Sequence, residues 1–76
     1  MNHELYYHGY EAGKAICKDI RDSVMEAYEY ELPEIAGQKI GDAVKHSEIP
    51  FVRTNSWQTG CFDGFMEQAE KMRGTQ

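Results

Sequence analysis

The chain reads as an all-α domain of three helices, over about 5–31, 33–47 and 55–73. Three observations predict this. Apolar residues recur at helical spacing through most of the 76 residues. The two prolines, Pro33 and Pro50, fall between the periodic runs. Glycines four apart occur once in each run, at Gly9/Gly13, Gly37/Gly41 and Gly60/Gly64.

In the first run, Leu5, Gly9, Ile16, Ile20, Val24 and Ala27, with Tyr6, Tyr10, Cys17 and Tyr28, share one arc of a 3.6-residue wheel. Asp19, Asp22, Glu26 and Glu29 take the opposite arc, joined by His8, Glu11 and Lys18. One face can be buried while the other stays in water. Leu32 precedes Pro33, and a residue before proline avoids helical geometry, so the helix is expected to end near Tyr30 or Glu31.

Pro33 suits the first position of the second helix, and Glu34 puts negative charge at its positive end. Ala36, Ile40, Ala43 and Val44 form its apolar stripe, and Lys45 and His46 its cationic last turn. Residues 47–55 read as a connection in which Ile49, Phe51 and Val52 are extended and Phe51 and Val52 fold back as a plug over the core. The third helix begins at Asn55 or Ser56, where Asn55 and Gln58 fit a capping box. Its stripe is Trp57, Cys61, Phe65, Ala69 and Met72, with Phe62 at the edge, and it frays at Arg73–Gly74 before a tail of Thr75 and Gln76. A glycine costs a soluble helix about 1 kcal/mol relative to alanine. A pair in every helix therefore predicts a compact three-helix packing with close crossings.

At this length the chain is one domain. Chains of its size bury only about 60% of their unfolded surface, so self-association into a homodimer is expected. A composition 41% hydrophobic and 28% charged is that of a globular protein. The formal charge of −5 opposes direct nucleic-acid binding, where Lys and Arg neutralise phosphate, and suits a meeting with a basic surface. No run approaches the ~20 apolar residues that span a bilayer. Met1–Glu4 lacks the features of a signal peptide, so a cytoplasmic location is expected. Cys17 and Cys61 are too few for a zinc pattern and fall on apolar faces, which predicts buried free thiols.

No residue is assigned a catalytic or metal-binding role, and no cofactor is expected. His3 and His8 are five apart, a poor spacing for two ligands on one helix face. Nothing in the sequence places a base beside either thiol, and the glycines do not form a phosphate-cradling loop. Two surfaces are left as candidates for binding. Asp19, Asp22, Glu26 and Glu29 follow i, i+3, i+7 and i+10, which on one helix makes a column of carboxylates. Such a column is either a solvated face or a mimic of a phosphate row that enters the basic groove of a nucleic-acid-handling protein. Tyr7 lies off the apolar arc and Tyr30 at the helix end, where both can present a contact-forming ring. Tyr6, Tyr10 and Tyr28 are expected in the core with hydroxyls at its rim.

Gly9-Tyr10-Glu11-Ala12-Gly13, then Pro50-Phe51, then Trp57 with Gly60 and an aromatic after it resemble the ribosome modulation factor family. That family pairs a Gly-aromatic-x-Ala-Gly helix with a Pro-aromatic turn and a Trp-x-x-Gly helix, and is basic and binds ribosomal RNA. The resemblance covers about a third of the chain and implies packing of the first helix on the third. The chain departs from the family in its acidity and in the extra helix over about 33–47. The function expected is that of a non-enzymatic protein-binding factor, an inhibitor of the phage or mobile-element kind acting on a host protein. Its predicted contact residues are Tyr7, Asp19, Asp22, Glu26, Glu29 and Tyr30. The alternatives are a ribosome-associated factor and a structural homodimer subunit.

Overall fold

A computed structural model describes residues 2–74; the expected tail of Thr75 and Gln76 lies outside them. The described chain is all-α, with no strand. Its helices are α1 (His3–Asp19), α2 (Arg21–Glu26), α3 (Leu32–His46) and α4 (Asn55–Gly74). Two short 3-10 turns, Glu29–Glu31 and Pro50–Arg53, precede α3 and α4.

The organising contact is α1 against α4. The two helices run parallel, because Gly9 lies against Trp57, Gly13 against Cys61, Gly60 against Tyr6 and Gly64 against Tyr10. At each of these glycines the neighbour is the backbone carbonyl of the facing helix, so close that a Cβ has no room. Glycine is required here by this approach of backbone to backbone. Farther along the seam the thiol of Cys17 reaches the Met72 sulfur at 3.8 Å. Phe65, Val24, Cys17 and Cys61 are fully buried around it.

A parallel pair needs a return path, and α3 supplies it. Leu32, Ala36 and Ile40 are its buried residues, packed on the core by side chains. Gly37 and Gly41 face open space, so α3 makes no such close crossing. The glycines flank the apolar stripe of α3 instead of lying in it, and so point away from the contact.

The single first helix expected over about 5–31 is three pieces. The backbone leaves helical geometry at Ile20 (φ −113°, ψ 36°), whose amide still bonds to the carbonyls of Ile16 and Lys18. Neither proline nor glycine marks this break. The redirected α2 instead buries Val24 completely. Helix α2 stops at Glu26, with Ala27 and Tyr28 extended (ψ 150° for both). Groups from elsewhere satisfy the freed backbone. The Arg73 guanidinium donates to the carbonyls of Val24 and Ala27, at 2.7 and 2.5 Å. The Glu31 carboxylate accepts the Tyr28 amide at 2.7 Å. A last-turn cation of α4 thus closes the end of another helix, where the dipole favours it.

The N-termini of α1 and α4 are capped locally. Asn2 accepts the Leu5 amide with its side chain at 3.1 Å, starting α1 two residues before the apolar run. Helix α4 is capped by Thr54, whose hydroxyl accepts the Trp57 amide at 3.2 Å, in place of the expected Asn55. The side-chain amide of Gln58 donates to the Val52 carbonyl at 3.2 Å instead of closing a capping box. The Pro50–Arg53 turn buries Val52 and half-buries Phe51, which form the plug expected of them in helical instead of extended form.

Candidate interaction surface

The six predicted contact residues are all exposed, and the structure separates them. Tyr7, 63% exposed, lies near the start of α1, its neighbour Tyr6 edge-on at 5.7 Å. Along the helix it stands about 18 Å from Asp19. Asp19 ends α1, Asp22 and Glu26 lie one turn apart on α2, and Glu29 and Tyr30 lie on the 3-10 turn. The continuous column of four carboxylates does not exist, because it required one helix through positions where the chain breaks twice.

Those breaks create a different surface. Tyr28, expected in the core, is 69% exposed, because the wheel that buried it stops at Glu26. Its ring stacks on that of Tyr30, itself 80% exposed, with centroids 5.7 Å apart and planes within 6°. Met25 is exposed beside them in sequence. Among the described residues, three of the five large exposed hydrophobics (Tyr7, Met25, Tyr28, Tyr30 and Ile49) therefore fall within residues 19–34.

The same segment holds the charge. Residues 19–34 carry six acids (Asp19, Asp22, Glu26, Glu29, Glu31 and Glu34) against one base, Arg21. The rest of the chain carries seven of each, so the entire formal charge of −5 belongs to this stretch. Between the 3-10 turn and the end of α4 lies an open cavity of ≈ 500 Å³ lined by Glu29, Leu32, Met66, Glu70, Arg73 and Gly74. The charge of Arg73 there is already engaged with the carbonyls of α2.

The opposite end of the molecule is polar. The Tyr6 hydroxyl donates to the Asp63 carboxylate at 2.6 Å, and this bond beside a negative charge raises the phenol above its ordinary pKa. Tyr6 and Tyr10 stack at 6.3 Å, and the Lys14 ammonium lies 5.3 Å from the Tyr10 centroid. The indole of Trp57 donates to Nδ1 of His8 at 2.8 Å, and the His8 ring meets Phe51 edge-on at 4.9 Å. The helical wheel put His8 on the water face, and the sequence carried no signal of this pairing beyond the presence of both residues.

Neither thiol is placed for nucleophilic work. Burial raises the Cys17 thiol and pushes that of Cys61 up to about 11, so both hold their protons at neutral pH. Among the described residues no group of three or more His, Cys, Asp or Glu could hold a metal ion, and no helix is long and apolar enough to cross a membrane. No known family, curated protein or solved structure matches the chain.

Proposed function

We propose that the chain is a small protein-binding factor that seats its 19–34 segment on a basic surface of a partner protein, as an inhibitor of the phage or mobile-element kind would. One observation carries this reading: the whole net charge and the stacked, exposed Tyr28–Tyr30 pair occupy the same stretch. Carboxylates steer the encounter with a basic surface, and tyrosine rings supply contact area with little conformational entropy to lose. Tyr7 is a separate surface at the far end.

The test uses tagged wild type and variants against one host lysate. The expected partner is a basic protein captured by wild type and by Tyr7→Ala. It should be lost with Tyr28→Ala/Tyr30→Ala, and bound more slowly, with a smaller salt dependence, by Asp22→Lys/Glu26→Lys. Retention by both of the 19–34 variants together with loss in Tyr7→Ala would move the site to the other end.

A ribosome-associated factor is the second reading, and one observation favours it. Gly9, Gly13, Trp57 and Gly60, which carry the resemblance to ribosome modulation factor, meet on the α1–α4 seam. Their contacts there are structural, which supports a shared way of packing two helices more than a shared ligand. Direct binding of ribosomal RNA that collapses steeply with added salt would favour this reading over the first.

A further inference from the structure

We infer that His8 is a pH-sensitive latch between the start of α1, the Pro50–Arg53 turn and α4. Three aromatic side chains from these three elements meet in one cluster. The Trp57 indole N–H reaches His8 Nδ1 at 2.8 Å, His8 packs edge-on against Phe51 at 4.9 Å, and the His8 and Trp57 ring centroids lie 6.4 Å apart.

An indole nitrogen can only donate. Its bond to Nδ1 therefore requires the neutral imidazole with its proton on Nε2. A protonated imidazole donates from both nitrogens, so the charged ring cannot hold the indole. Trp57 is buried, and its N–H then loses its partner inside the fold. His8 is itself exposed, so a proton can reach it without prior unfolding.

Ionisable groups stand near His8 on each of the three elements. Glu4 and Glu11 lie one turn to either side on α1, with Glu11 paired to Lys14 at 3.7 Å. The Pro50–Arg53 turn brings Arg53, whose guanidinium is engaged with the Ser47 carbonyl at 3.2 Å. On α4, the ionisable group one turn beyond Trp57 is Cys61, which stays neutral. As the imidazole charges, in the range of about pH 5 to 8, the indole of α4 loses its hydrogen bond to α1 beside the Phe51 ring.

Trp57 is the only tryptophan, so its emission and its indole N–H resonance report on this cluster alone. The experiment titrates both from about pH 8 to about pH 5. Wild type should show a one-proton transition in emission and an indole N–H signal that loses its hydrogen-bonded shift. The transition should persist in His3→Gln/His46→Gln and vanish in His8→Gln. A flat wild-type titration, or the same transition in folded His8→Gln, overturns the latch. Should His8→Gln fail to fold, the wild-type protein decides: the indole N–H must titrate with the same midpoint as the His8 ring resonances. Different midpoints also overturn it.

Discussion

Three glycine pairs share one spacing in this chain and have two different fates. Gly9/Gly13 and Gly60/Gly64 press their own backbones against carbonyls of the facing helix, leaving no room for a Cβ. Gly37 and Gly41 have nothing near them. Spacing alone cannot separate these cases. The closed pairs lie within the apolar arc of α1 or beside Trp57, and so face the core; the open pair lies off the stripe of α3. The molecule accordingly has two modes of cohesion. The α1–α4 seam is backbone on backbone, while α2 and α3 are attached by side chains.

The sharpest way to break this comparison is Gly13→Ala. The added methyl meets the Cys61 carbonyl, and a backbone cannot rotate out of the way as a side-chain tip can. The helices must move apart, undoing the seam along its length, at a cost of about 3 kcal/mol or more. A domain of this size has only about 4–11 kcal/mol in hand at ~0.05–0.15 kcal/mol per residue. Thermal and urea melts should show most of the stability gone. A variant melting like wild type would mean that the seam is not closed.

The thiols test the same seam without altering it. Cys17 and Cys61 are fully buried. A maleimide or disulfide reagent should modify both orders of magnitude more slowly in the native protein than in denaturant. The pH dependence has a definite sign. Burial holds Cys61 protonated to about 11. The unfolded thiol ionises first as pH rises past about 8.5, so this group's contribution to stability is present at neutral pH and lost toward 11. Rapid native labelling of either thiol at pH 7 would place it outside the seam.

Arg73→Ala addresses the other mode of attachment. It removes the donor for two carbonyls at the end of α2 while leaving the glycines in place. Bonds from a charged donor are worth about 1.5–3 kcal/mol, and these carbonyls can turn partly to water, so a loss of about 1–2 kcal/mol is expected. Amide exchange should accelerate in α2 and at Tyr28 before it changes in α1. Uniform acceleration throughout the protein would mean that α2 is not separately held.

The sequence made the α1–α4 seam legible because period and composition agree there: Trp57, Cys61, Phe65, Ala69 and Met72 are all buried as the wheel places them. It concealed the region that carries the proposed function. The breaks at Ile20 and Glu26 have no proline, glycine or cap residue to announce them. They are imposed by the burial of Val24 and by Arg73, more than forty residues away in sequence. Pro33 was a true signal for the start of α3 but a false one for the end of the helix before it. A continuous wheel drawn through these breaks buried Tyr28, which is exposed, and aligned four acids that lie on three elements. The concentration of charge in 19–34 could have been read without any wheel, from composition along the chain.

The smallest expected effect belongs to the open glycines, and it has the opposite sign. Gly37→Ala and Gly41→Ala each add a methyl that meets nothing within 4 Å, on helical backbone with negative φ. Alanine lowers the conformational entropy of the unfolded chain and raises helix propensity, so each should stabilise by about 0.5–1 kcal/mol. Neither added methyl meets a neighbour that the two could share, so the double variant should be close to additive. Gly13→Ala and Gly37→Ala then form a matched pair: the same substitution at the same motif, with melting temperatures moving in opposite directions. If the free chain gains stability from Gly37→Ala but loses binding to its partner, the open face of α3 contacts that partner and the 19–34 surface extends onto it. If the gain disappears only at concentrations where the chain self-associates, a second copy covers the notch. A gain in stability with unchanged binding and unchanged oligomeric state leaves the pair as two uncompensated glycines on a solvated face.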